Sequence, residues 1–235
     1  MIVMIKFDQF IFCRAFNIDC EVLTPTQCKE LCPLIETSDI RGGLFIPRDG
    51  VADPLKLSKT LISEAMKRGV TVVENCNVEK VEQVDLKVKS VHTSSGQIDC
   101  DFFVNAAGFF ARNVGQLSEP HVKVPQHAVE HYFCHIRPDP GLVDPNMPVV
   151  RDLDGQIYIR EYDGKLLAGG FELKATPAYD DGILPESMMN RKLPPDYDHF
   201  HILLQEILKR VPSLNDAVLE KLLNIPEAFS PDCKV

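Results

Sequence analysis

Apolar positions recur along this chain with two different periods. Around residues 54–68 the period is helical. Asp53 stands as an N-cap, Pro54 takes the first helical position, and Gly69 stops the run. Leu57, Leu61, Ile62, Ala65 and Met66 fall on one face of that helix. Residues 198–210 show the same period, closed by Pro212, and residues 24–34 a shorter version between Thr24-Pro25 and Pro33. A second short helix is expected over 215–223. From about residue 120 the texture alternates instead. Val129–Ile136, Gln156–Tyr162 and Lys165–Phe171 read as half-buried strands, the last two joined by the two-residue turn Asp163-Gly164.

Between these lie shorter signals. Leu44–Pro47 reads as a short strand. Val70–Glu74 is β-branched, and Phe102–Val104 is a continuous apolar run of the kind buried on both faces of a parallel sheet. Residues 78–84, 86–93 and 97–104 form a meander turning at Ser94-Ser95-Gly96. Residues 176–195, rich in Pro, Asp and Gly, read as a loop. The expected class is α/β with an α+β part: a β-α-β core over 43–74 and 97–117 beside an antiparallel sheet over 129–172.

Composition narrows the function. The chain has 235 residues, 45% hydrophobic and 25% charged, with a net charge of −9. No dense Lys/Arg cluster appears, so a nucleic-acid partner is not expected. Met1–Cys13 is too short to span a bilayer and has neither a cleavage site nor the Arg/Ser-rich character of a transit peptide. Eight cysteines make no C-x-x-C pair, so buried thiols in a reducing compartment are expected and no metal site. No G-x-G triplet, P-loop, H-E-x-x-H or G-x-S-x-G occurs.

The candidate residues are few. Asn105-Ala106-Ala107-Gly108 ends the apolar run at 104, and its small side chains would let a ligand approach the backbone. A plain strand-to-helix turn fits the same residues. His131 and Tyr158 lie on separate strands that alternation can aim at one face, where they could bind an amine and manage its proton. A core histidine and a packed tyrosine fit equally. Arg160, two residues beyond Tyr158, shares its face and suits either a substrate carboxylate or a surface ion pair. His127, His135, His199 and His201 read as surface or partly buried residues, and Asp53 as a helix cap.

These blocks resemble a known family. Gly43-Leu44-Phe45-Ile46-Pro47, Asp53-Pro54 and Phe103-Val104-Asn105-Ala106-Ala107-Gly108 are similar to FAD-dependent oxidoreductases of the D-amino-acid oxidase class. Pro148-Val149-Val150-Arg151-Asp152, Ile157-Tyr158-Ile159-Arg160-Glu161 and Gly169-Gly170-Phe171-Glu172 are similar to the dimethylglycine and sarcosine dehydrogenase branch. Glu130-His131 and Pro226-Glu227-Ala228-Phe229-Ser230-Pro231-Asp232 resemble a regulatory member of that branch, a mitochondrial phosphatase subunit.

The resemblance covers about residues 14–235. It implies FAD as cofactor, bound near Asn105, Ala106, Ala107 and Gly108. It implies His131 and Tyr158 as flavin-facing catalytic residues, Arg160 as a substrate-binding one, and the mitochondrial matrix as the compartment. The partner it implies is a small amine substrate such as an N-methylated glycine, or a phosphatase catalytic subunit. It implies a domain order of an unassigned segment at 1–13, substrate-domain entry at 14–53, and an incomplete FAD-binding domain at 54–119. A substrate domain at 120–223 and a return to the FAD domain at 224–235 complete it. Two departures stand out: the family's G-x-G-x-x-G unit has no counterpart here, and where the dehydrogenases follow the histidine with Gln-Tyr, this chain has Tyr132-Phe133. Without that phosphate-binding turn, the chain by itself is expected not to retain FAD.

Overall fold

A computed structural model describes residues 1–4, 7–179, 185 and 192–232. Strand β1 (Ile2–Met4) and helix α1 (Phe7–Ala15) occupy the N-terminal segment, for which the pattern predicts no element. β2 (Glu21–Leu23) leads into α2 (Pro25–Leu31), whose N-cap Thr24 and Gln27 form a reciprocal capping box. After β3 (Gly43–Phe45) comes α3 (Pro54–Lys67), capped by the Asp53 carboxylate, which accepts from the Lys56 N–H at 3.0 Å. Gly69 follows with φ +93, the left-handed stop expected there.

The meander is β4 (Val78–Val84), β5 (Lys87–Thr93) and β6 (Gly96–Asp99), a separate three-stranded sheet. A 3-10 turn at Gly108–Phe110 opens α4 (Ala111–Gly115). Then come β7 (His127–Arg137), β8 (Val150–Asp152), β9 (Ile157–Tyr162), β10 (Lys165–Gly170), α5 (Tyr197–Arg210) and β11 (Val218–Phe229). The larger sheet has the order β11-β7-β10-β9-β8-β1-β3-β2. β7, β10, β9 and β8 pair antiparallel in turn, and β1 joins β8 in parallel. The β9–β10 turn has Asp163 at φ 53 and Gly164 at φ 74, the two left-handed residues of a type I′ hairpin.

Three expectations are corrected. Val70–Glu74 and Phe102–Val104 are not ladder strands: neither belongs to a sheet, and Phe102 and Val104 are 88% and 82% exposed. Apolar runs of this kind need a strand on each side, and the described residues offer none. Residues 215–223 are not a helix. Leu and Glu favour one locally, but β11 is a neighbour of β7 in the sheet and buries Leu222, Leu223 and Asn224, so tertiary pairing overrides propensity. Of the expected loop at 176–195, residues 180–184 and 186–191 lie outside the described residues; its flanks bridge Val129 to Pro177 and Leu193 to Asn224.

The chain divides into two compact units, one of residues 1–51, 131–175 and 192–225, the other of 52–130, 176–191 and 226–235. In the first, α5 lies on one face of the sheet. Its Phe200, Leu203 and Ile207 bury with Tyr132, Cys134, Ile157, Ile159, Leu166 and Ala168. Each such large side chain contributes roughly 1.5–3 kcal/mol. The second unit holds α3, the three-stranded sheet and α4. None of α3's side chains is buried.

Candidate functional site

Alternation gives the main sheet two unlike faces. On β7, Tyr132, Cys134 and Ile136 point into the core. The Tyr132 hydroxyl accepts from Asn224 Nδ2 at 3.0 Å, and burial pushes the Cys134 thiol pKa up to about 12, which leaves it unreactive. His131, Phe133 and His135 point to the other face. Tyr158, Arg160 and Tyr162 of β9 share it, since their neighbours Ile157 and Ile159 are core residues.

β10 runs between these two strands, yet His131 Nε2 lies 3.0 Å from the Tyr158 hydroxyl. Gly169 makes that contact possible. It pairs with Phe133 on one side and Tyr158 on the other. A Cβ there would lie 2.6 Å from the Tyr158 hydroxyl and 2.7 Å from Phe133 Cβ. The missing side chain is the passage through which the tyrosine crosses the intervening strand. Phe171 closes one side, its ring centroid 4.6 Å from that of His131 and 6.0 Å from that of Tyr158. His131 is only 7% exposed. The result is a sheltered imidazole–phenol pair walled by aromatic rings.

Arg160 sits on the same face but leans away from the pair. It donates to the Glu161 carbonyl at 3.0 Å, and its guanidinium carbon lies 5.1 Å from the Tyr162 ring centre. His135 meets Tyr162 at 4.9 Å between centroids. Glu220 of β11 joins Arg137 at 3.0 Å and Lys165 at 2.5 Å, and the Lys165 hydrogen bond chiefly holds its carboxyl below the usual range. Burial pushes the His135 pKa down, helped by Lys221, Lys165 and Arg160 and opposed by Glu220.

The other candidate turn lies in the second unit. Asn105 spends its side chain on the turn itself: Nδ2 donates to the Ala111 carbonyl at 2.8 Å, and Oδ1 accepts from the Ala107 N–H at 3.3 Å. Gly108 takes φ +56 with open space where a Cβ would be. No group of metal-ligating side chains occurs among the described residues. No helix among them is long and apolar enough to cross a membrane.

Residues 4–225 match the DAO family, described as FAD dependent oxidoreductase. The chain belongs to that family. Among curated relatives, it is 36% identical over 218 residues to the mitochondrial pyruvate dehydrogenase phosphatase regulatory subunit of Mus musculus, covering 93% of this chain and 25% of the relative. It is 34% identical to mitochondrial sarcosine dehydrogenase of Mus musculus, with 94% and 24% covered. The chain therefore spans about a quarter of the length of these relatives. Among solved structures, L-proline dehydrogenase from P. horikoshii superposes with a TM-score of 0.79 at 20% identity, covering 98% of this chain and 60% of that one.

Members of this FAD-dependent family need a cradle for a dinucleotide pyrophosphate, and the described residues do not fit that need. A cradle requires free N–H groups at a helix start. The α3 start is filled by the Asp53 carboxylate, which would repel a phosphate. α4 has five residues and the Asn105 side chain is already used. What this family member does present is the aromatic face of the first unit.

The sequence singles out His131, Tyr158 and Arg160 as candidates; the structure brings the first two within 3.0 Å and leaves Arg160 bonded to the Glu161 carbonyl. Gly169 carries a legible signal, since glycine within a strand marks a close approach. A buried charge cluster gave none. Arg210, 4% exposed, bonds Asp152 through Nε at 2.8 Å and Asp39 through its other nitrogens at 2.8 and 3.2 Å. These partners are 58 and 171 residues away in sequence.

Proposed function

We propose that this chain carries the substrate-facing sheet of an FAD-dependent amine oxidoreductase, acting on a secondary or tertiary amine such as an N-methylated glycine. The observation that carries the reading is the sheltered His131–Tyr158 pair. The imidazole and the phenol share one proton between Nε2 and the hydroxyl oxygen. An imidazole beside a phenol can hold an amine nitrogen and take up the proton it must lose before oxidation. The rings of Phe171 and Phe133 exclude water and favour a cationic or N-methylated nitrogen. Arg160 is the candidate carboxylate partner. Asn105–Gly108 are, by resemblance, the proposed flavin-binding residues. Oxidation itself is the chemistry that a bound flavin supplies. The compartment proposed is the mitochondrion, supported by the two mitochondrial relatives above, with the matrix as the finer proposal.

Titration of the chain with N-methylglycine, followed by NMR of the His131 ring protons, tests this. A saturable shift that Tyr158→Phe abolishes supports it. No shift at any concentration contradicts it.

A second reading is a regulatory protein that holds a phosphatase catalytic subunit. Phe133 favours it. By resemblance the dehydrogenases place a tyrosine at this point of the site face, and here the hydroxyl is missing. A stable complex with such a subunit, together with silence toward amines, would favour this reading over the first.

A further inference from the structure

We infer that Glu172 and His199 are positioning residues for the proposed site: a buried link between the end of β10 and α5 that seats the Phe171 ring on His131, a role that rests on the amine reading above. Both act from the opposite face of the sheet.

The end of β10 serves the two faces in alternation. A Cβ at Gly169 would meet the Tyr158 hydroxyl and Phe133 on the site face, whereas a Cβ at Gly170 would lie 2.6 Å from Leu203 of α5 on the core face. The alternation continues through the next two residues. The Phe171 N–H donates to the Gln156 carbonyl at 2.9 Å, and its ring stands against His131 and Tyr158. Glu172 turns the other way. Its carboxylate meets His199 Nε2 at 2.7 Å, with the two side chains 6% and 18% exposed.

The ring needs such an anchor. Phe171 is 39% exposed, so packing encloses it only in part. The last β10 ladder pair is Gly170 with Ile157, and the chain turns away at Leu173-Lys174. His199 supplies a fixed point. It lies one helical turn before Leu203 on the same face of α5. Its N–H donates to the Asp196 carboxylate at 2.9 Å, and its ring is 5.3 Å from that of the buried Tyr132. An acid as buried as Glu172 gives up its partner only at high cost. One peptide unit joins it to Phe171, so moving the Phe171 backbone off His131 drags the carboxylate off the imidazole. The aromatic wall that favours a cationic or N-methylated nitrogen is thus set from α5.

The experiment reads the His131 ring protons by NMR, with and without N-methylglycine, in a double-mutant cycle of Glu172 and Phe171. Phe171→Leu removes the ring current and shifts the His131 signals of the free chain. Glu172→Ala is expected to shift them in the same direction and to weaken N-methylglycine about fivefold, the size of a cation's contact with an aromatic ring. Glu172→Gln keeps an acceptor for His199 and should bind within about twofold of the unaltered chain. In a Phe171→Leu background, Glu172→Ala should add no further loss. His199→Ala cuts the same link from α5, which remains anchored by Phe200, Leu203 and Ile207, and should give the same shift. Unmoved His131 signals in folded Glu172→Ala or His199→Ala, or an equal loss with and without Phe171, overturn the inference alone. Absence of N-methylglycine binding to the unaltered chain sinks the amine reading, while the free-chain His131 shifts still decide whether the link seats Phe171.

Discussion

Helices α3 and α5 obey the same local grammar and end in opposite circumstances. Each has 14 residues, an aspartate N-cap whose carboxylate accepts from the third residue's N–H, and basic residues in its last turn. Each carries an apolar stripe. The α5 stripe is core, with Phe200, Leu203 and Ile207 at 1%, 2% and 0% exposure. The α3 stripe lies open, with Leu57, Leu61, Ile62 and Met66 between 47% and 62% exposed. Periodicity thus states which face of a helix seeks burial. Whether a partner is present is decided by the rest of the chain. The first unit brings its own sheet; the second leaves α3, Val70–Val73 and Phe102–Val104 uncovered.

The largest effects should come from attacking the packed side of that contrast. Phe200→Ala is expected to cost about 3–5 kcal/mol, read from urea unfolding by circular dichroism. Arg210→Met should cost a similar amount, about 3–5 kcal/mol, because it strands Asp152 without its partner at 4% exposure. This variant also has a pH signature. The Arg210 hydrogen bond holds the Asp39 carboxyl below its ordinary 3.8. That contribution is complete above 3.8 and is lost as pH falls through the lower folded value, so the native chain should weaken in acid below about pH 4. In Arg210→Met the Asp39 share of this acid step should vanish; an unchanged acid profile would remove Asp39 from the account.

Gly169→Ala comes next. Its methyl group would crowd the Tyr158 hydroxyl, Phe133 Cβ and the Tyr132 carbonyl oxygen together, at about 1–3 kcal/mol or more, and should change the His131 ring signals in NMR spectra. Unperturbed His131 signals in a folded Gly169→Ala variant would show that the passage through β10 is not needed. At the small end, Leu61→Ser on the open α3 face should shift stability by no more than about 0.5 kcal/mol and raise solubility. A loss of several kcal/mol there would mean that the stripe is covered in solution, and the contrast between the helices would dissolve.

What was legible from sequence follows the same division. The caps at Thr24 and Asp53, the stop at Gly69 and the Asp163-Gly164 hairpin are local rules, readable within a few residues. The strands carrying His131 and Tyr158 were legible because one face of their sheet is core and the other is not. Three things were not. Leu219–Leu223 looks helical until β7 stands beside it. Val70–Glu74 and Phe102–Val104 look like buried strands, and the run is real, but its neighbours are not among the described residues. The Arg210 cluster joins residues too far apart for any spacing rule. At the site, the pair was legible as two candidates, whereas the contact between them depends on the register that sets Gly169 opposite both Phe133 and Tyr158.

The described residues carry the proposed substrate face, and none of their helix starts fits a phosphate cradle. With the described residues alone, several charge-assisted hydrogen bonds at roughly 1.5–3 kcal/mol each would be absent from the cofactor's binding energy. The direct test is an absorbance spectrum of the soluble chain after incubation with FAD and desalting. No flavin band above background is expected. A band corresponding to about one flavin per chain would contradict it, and would require a phosphate site built from residues other than a glycine-rich turn.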